Sequence, residues 1–203
     1  KDEMSEKGSL NNQIASLIFR FLKKQGIDSH WLEDVDERTM LCKKVDIIPI
    51  EVIVRNKLAG STAKKFKIEE GSPLEKPLTE FFYKDDDLGD PFISDEQALM
   101  LNAAKSQKQL DELKVKALEV NEALKKMFTP LVIDLIDFKL EFGVDGRGHI
   151  LLAVEISPDT CRLWDSETGE KMDKDRFRRD LGQVVESYKE VLARIKNHWE
   201  KEL

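Results

Sequence analysis

The sequence is poor in the residues that build the commonest specialised sites. It has two cysteines, Cys42 and Cys161, in 203 residues. Two are too few for a disulfide framework or a cysteine-ligated zinc centre, so a reducing cytoplasm is the expected compartment. The three histidines, His30, His149 and His198, show no ligand spacing to one another or to the cysteines. No Ser-His-Asp or Cys-His arrangement stands out, and neither a Walker A sequence nor a GxGxxG fingerprint occurs. No apolar run approaches the roughly 18 residues of a membrane-spanning helix. The opening stretch, Lys-Asp-Glu-Met-Ser-Glu-Lys, has no apolar segment, so no secretory leader is expected in it. Aromatic residues make up only 7% and the formal net charge is −7, with a pI of about 5.2. Both argue against nucleic acid as a partner. An anionic small substrate stays compatible, because a local basic pocket can form inside an acidic chain.

What is present is an ordinary globular balance, 40% hydrophobic and 36% charged. There are no repeats and no linker rich in glycine, proline or serine. Residues 1–9 are expected to be frayed and residues 10–203 to form one α+β region, an antiparallel sheet with packed helices. Leu10, Ile14, Leu17, Ile18, Phe21 and Leu22 have helical spacing, with Gly26 as a stop. Residues 39–46 and 48–55 read as strands, the second with Ile50, Val52 and Val54 on one face and Glu51, Ile53 and Arg55 on the other. Residues 69–93, with Gly71, Pro73, Pro77, Gly89 and Pro91, read as a long irregular loop. Helices are expected over 94–104 and 106–128, and strands over 131–142 and 149–156 joined by the turn Asp145-Gly146-Arg147-Gly148. A last helix from about Lys174 carries Phe177, Leu181, Val184, Tyr188, Val191, Ile195 and Trp199 as a core stripe.

Four segments can carry chemistry. In Ile133–Phe142, strand alternation puts Ile136, Phe138, Leu140 and Phe142 on a core face and Asp137, Lys139 and Glu141 on the other. Two carboxylates around an ammonium suit Mg²⁺ and phosphate, and equally suit a solvated face with a cross-strand ion pair. Arg55 ends an apolar strand, Gly60 turns the chain and Ser61 is placed to cap a short helix, whose free N–H groups attract anions. Asp159 and Arg162 fall in a proline-containing loop after a strand. Lys174, Arg176 and Arg178 crowd the first turns of the last helix, with Asp173 as its cap; cations there oppose the helix dipole unless an anion binds.

Together these segments resemble the SAICAR synthetase family of ATP-dependent ligases. The matching stretches are Pro49–Ser61, Asp137-Phe-Lys-Leu-Glu-Phe-Gly143, Ser157–Asp165 and Lys171–Arg178. They keep the family's order and approximate spacing. The resemblance implies a fold related to ATP-grasp and a soluble enzyme of purine biosynthesis, and is compatible with a homodimer. Its substrates would be ATP, L-aspartate and carboxyaminoimidazole ribonucleotide (CAIR), with Mg²⁺. It further implies that Lys139 and Asp137 lie at the reacting carboxylate. Lys84 and Glu141 would serve ATP, Glu141 through Mg²⁺. Arg55, Ser61, Asp90, Asp159, Arg162, Lys174 and Arg178 would hold substrate. The family opens with a glycine- and lysine-rich hairpin over the ATP phosphates, and residues 1–9 are expected to be a remnant of that lobe. The family also carries an aspartate where this sequence has Val154, a side chain without an oxygen for a metal. The alternative function is a descendant or fragment that binds the ribonucleotide without using ATP.

Overall fold

The computed structural model describes residues 6–203; part of the expected frayed segment, residues 1–5, lies outside the described residues. The first helix, α1 (Lys7–Lys24), starts earlier than the spacing of its apolar residues suggests. Lys7, Gly8 and Ser9 are helical rather than frayed. Its stripe of Leu10, Ile14, Leu17, Ile18, Phe21 and Leu22 is buried, and Gly26 follows its end at φ 79°.

A two-stranded antiparallel sheet, β1 (Trp31–Asp36) with β2 (Thr39–Cys42), comes next. The expected strand over 39–46 is therefore half of a hairpin, and β1, its first arm, has no counterpart among the expected strands. β3 (Asp46–Lys57) is longer than expected at both ends. α2 (Gly60–Phe66) follows, and then β4 (Pro73–Tyr83) and β5 (Phe92–Ile93) replace most of the expected loop. Prolines obscure β4 because they cannot donate to a ladder. The structure accommodates them at an irregularity: the β3–β4 register shifts between Arg55 and Lys57, opposite the stretch holding Pro77.

α3 (Asp95–Met100) is shorter than expected and is closed by a Ser94–Gln97 capping box. α4 (Gln107–Phe128) matches expectation, with Ser106 accepting a bond from the Gln109 amide. β6 (Ile133–Val144) and β7 (Ile150–Leu152) pair antiparallel across the expected turn, although β7 stops well before residue 156. β8 (Cys161–Asp165) places Arg162 on a strand, not in a loop. The last helix is two: α5 (Asp175–Arg178) and α6 (Val184–Trp199). Asp180, Gly182 and Gln183 between them have φ of 54°, 68° and 52°, so the helical path is broken there. Phe177 and Leu181, assigned to the core stripe, are 61% and 48% exposed as a result.

The main sheet runs β5-β4-β3-β6, and the far edge of β6 pairs with β7 near one end and β8 near the other. Its apolar face meets α4, behind which α1 and α6 pack together. Ile50, Val52, Val54, Phe138, Leu140 and Phe142 belong to this core. Ile136 is buried, but Ile133 and Leu135 are the core residues at that end of β6. The β6–β8 register shifts between Leu135 and Asp137, and that irregularity exchanges the parity expected for Ile136. Leu140 is fully buried. Leu140→Ala should therefore cost about 2–5 kcal/mol, read as a lower urea midpoint at unchanged slope.

Candidate active site

The face of the sheet opposite α4 carries two rows of alternating charge, each set by cross-strand register. In the first, Arg55 stands opposite Asp137 across β3–β6, and Asp137 opposite Arg162 across β6–β8. Arg55 donates from Nε to Glu80 at 2.5 Å and from Nη1 to Asp137 at 2.6 Å. Arg162 Nη1 donates to both Asp137 oxygens at 3.0 and 2.8 Å, and its Nε donates to Asp175 at 2.8 Å. The sequence Glu80–Arg55–Asp137–Arg162–Asp175 thus alternates sign across four strands and into α5. Arg55, Asp137 and Asp175 are buried. Burial pushes the Asp137 carboxyl up, against the pull of Arg162 and Arg55. Burial also acts on Asp175, but Arg162 outweighs it and holds that carboxyl below its ordinary value.

In the second row Glu51 faces Glu141 across β3–β6. The Lys139 ammonium joins them: it donates to Glu51 and reaches Glu141 at 3.3 Å. Lys84, just past β4, donates to Glu141 at 3.0 Å. Burial would lower the Lys139 pKa, but Glu51 and Glu141 more than compensate, so the group is firmly an ammonium.

A cationic cluster adjoins the first row. A Cβ on Gly60 would lie 2.5 Å from the Arg162 guanidinium, so only glycine lets the start of α2 approach this closely. Ser61 lies inside the first turn of α2, where Ala59 is the N-cap; the expected serine cap is not formed. Glu70 anchors this turn, accepting from the Gly60 amide at 3.3 Å and from Arg179 at 2.8 Å. Arg179 chiefly brings the Glu70 carboxyl down to about 2. Lys174 is partly buried and makes no ion pair among the described residues. Burial, Arg178 and Arg162 all push its pKa down. Arg178 is exposed, with Nη1 3.8 Å from Asp175. A half-buried ammonium beside two guanidiniums is an arrangement that favours a bound anion. Arg176, by contrast, is fully engaged, donating to the carbonyls of Gly182 and Lys171 and pairing with Glu170 at 2.6 Å.

Two expected site residues have their oxygens taken up elsewhere. Asp159 accepts from Asn11 at 2.6 Å and Tyr188 at 2.7 Å, and pairs with Lys7 at 2.8 Å. Burial would raise it, but these three partners hold it below the usual range. Asp90, at φ 47°, closes a local turn by accepting from the Asp85 amide at 3.0 Å. Glu51, Glu80, Glu70 and Asp175 join the site only through the three-dimensional pairing. Only Glu51 had a visible signal, sharing a β3 face with Arg55.

Among the described residues no group of three or more His, Cys, Asp or Glu side chains gathers to hold a metal unaided. Val154 is partly buried against the core. Mg²⁺ does not need a complete protein cage, since it binds through one or two carboxylates plus substrate phosphates. Glu141 and Glu51, facing one another, fit that lesser demand. No helix among the described residues is long and apolar enough to cross a membrane.

Comparison with known proteins identifies the family of the chain. The SAICAR synthetase family model matches residues 1–195. The phosphoribosylaminoimidazole-succinocarboxamide synthase of Halalkalibacterium halodurans is 56% identical over 195 residues, covering 96% of this chain and 82% of the relative. The crystal structure of the synthase from Ehrlichia chaffeensis superposes with a TM-score of 0.92 at 43% identity, covering 95% and 82% of the two chains. A SAICAR synthetase solved in complex with ADP gives 0.93 at 42% identity, covering 97% and 84%.

Proposed function

The chain belongs to the SAICAR synthetase family, and from that premise we propose how its residues carry out ATP-dependent SAICAR formation. The enzyme joins L-aspartate to the carboxylate of CAIR, with ATP converted to ADP and phosphate. A carboxylate is a poor acyl donor until one of its oxygens becomes a phosphate leaving group. The carboxylate oxygen attacks the γ-phosphorus and ADP departs. The aspartate amine then attacks the acyl phosphate, phosphate leaves, and the amine gives up a proton as the amide forms.

The observation that carries this reading is the pairing of two preorganised cation sets on one sheet face. Lys139 presents its ammonium where charge moves from carboxylate to phosphoryl oxygen, and such fixed charge is worth far more than solvent. Lys84 meets the ATP phosphates. Arg55, Arg162, Lys174 and Arg178, with Ser61 at the start of α2, hold the anionic groups of CAIR and aspartate. Asp137 accepts from both arginines, so its role is to fix them rather than to carry a proton. Asp90 and Asp159 support the pocket from its margins, Asp159 by tying β8's approach to α1 and α6. Glu141, with Glu51 opposite, would hold Mg²⁺ together with the ATP phosphates. Bound there, the ion would neutralise charge on the phosphates during transfer. Soluble phosphorylated substrates suit a cytoplasmic enzyme.

The experiment is a coupled assay for ADP with each substrate omitted in turn. ADP release only when CAIR and aspartate are both present is expected. Binding of CAIR with no ADP release under any combination would instead identify a nucleotide-binding protein without ligase activity.

A further inference from the structure

One buried carboxylate beside the pocket has no part in the steps above. Asp173 is wholly inaccessible to solvent. Its Oδ2 accepts from the Leu163 amide on β8 at 2.8 Å, and its Oδ1 accepts from the Asp175 amide on α5 at 2.8 Å. The flanking backbone reinforces this bridge: Met172 donates to the Leu163 carbonyl at 2.8 Å and Lys174 to the Pro158 carbonyl at 3.0 Å. Both residues that Asp173 grips adjoin Arg162. Leu163 follows it in β8, and Asp175 accepts its Nε. The titratable and charged groups around Asp173 are Asp175 and Arg176 on α5, Arg162 and Cys161 on β8, and Tyr188 on α6.

We propose that Asp173 is a positioning residue: it pins α5 to β8 and, through Asp175, sets Arg162, Lys174 and Arg178 in the geometry that receives the anionic substrate. This rests on the assignment of those three cations to ribonucleotide binding. The chemistry is specific to the ionised form. A carboxylate gives each amide its own acceptor, whereas a carboxylic acid or a carboxamide presents a donor towards one of them. Losing the charge therefore removes one half of the bridge and loosens α5.

Burial, with Asp175 adding to it, raises Asp173 from 3.8 to about 6, against the pull of both amides and Arg162. The loosening thus falls in mildly acidic solution. The sign separates it from unfolding. A folded-state value above the unfolded one means that the native chain takes up the proton more readily between 3.8 and about 6. At this group acidification accordingly favours the fold while weakening the pocket.

The test is calorimetric binding of CAIR to the wild type and to Asp173→Asn from about pH 7.5 to about pH 5.5. The phosphate of the ligand titrates near pH 6 with either protein, so the ratio of the two dissociation constants is the readout. About tenfold weaker binding by Asp173→Asn is expected at the higher pH, narrowing to about threefold at the lower, because most of the wild type is then protonated too. Mg·ADP binding should be the same for both. A ratio that does not change with pH, or wild-type affinity in the variant, overturns the proposal. If Asp173→Asn does not fold, Asp175→Asn cuts the next link. About tenfold weaker CAIR binding with normal Mg·ADP binding supports the proposal, and unchanged affinity overturns it. A wild type that binds no CAIR at all refutes the ribonucleotide assignment and this proposal with it. Binding with a constant ratio refutes this proposal alone.

Discussion

Lys139→Ala is expected to lower kcat by about 10³-fold, the range seen when a preorganised charge-stabilising group is removed. The sequence alone suggests that this would damage turnover far more than folding, since Lys139 lies on the polar face of β6. The structure adds a specific cost to the fold. The ammonium joins Glu51 to Glu141, and both carboxylates are buried. Without it, Glu51 has no partner and faces Glu141 across the ladder. A stability loss of about 1–3 kcal/mol should accompany the kinetic one. Lys84 still reaches Glu141 and limits the damage. Urea denaturation and steady-state kinetics on the same variant separate the two effects. At a loss of about 1–3 kcal/mol most of the protein stays folded, so the missing activity cannot be assigned to unfolding. A kcat within about tenfold of wild type would mean that Lys139 is structural.

Asp137→Ala should have the opposite profile, with the larger effect on the fold. Its carboxylate is the shared acceptor for two guanidiniums, one from β3 and one from β8. Arg55 is itself buried. Removing one member of a buried charged cluster strands the others, which costs about 3–5 kcal/mol. Glu80 and Asp175 keep one contact to each arginine, so partial rescue by Asp137→Asn is expected. Chemical denaturation measures the loss, and CAIR binding should weaken in parallel because Arg55 and Arg162 are no longer fixed. A loss below about 1 kcal/mol would show that the row is not energetically coupled through Asp137.

The parts of this architecture visible in one dimension are those with clean periods. α4 shows its apolar stripe without interruption, and the second half of β6 alternates strictly from Asp137 to Phe142. β4 hides behind Pro73 and Pro77, which are tolerated because β3 has an irregularity there. β8 is too short, at five residues, for alternation to distinguish it from a loop. The division between α5 and α6 is masked because the stripe from Phe177 to Trp199 keeps its period across a backbone that does not stay helical. For the site, the arginines and lysines were recognisable, as were Asp137 and Glu141, but the partners Glu80, Asp175 and Glu51 were not. Pairing Arg55 with Glu80, or Lys139 with Glu51, depends on which strands are neighbours and in what register, and neither is written in a local window.

The pleat of β6 ties assembly to competence. Phe138, Leu140 and Phe142 point one way only because Asp137, Lys139 and Glu141 point the other. A slip of one residue against β3 would drive three charges into the hydrocarbon interior and turn three large apolar groups outward. A molecule misthreaded by one residue cannot therefore keep its interior and lose only its chemistry. For this strand, passing the folding checkpoint and presenting the proposed catalytic groups require the same alignment.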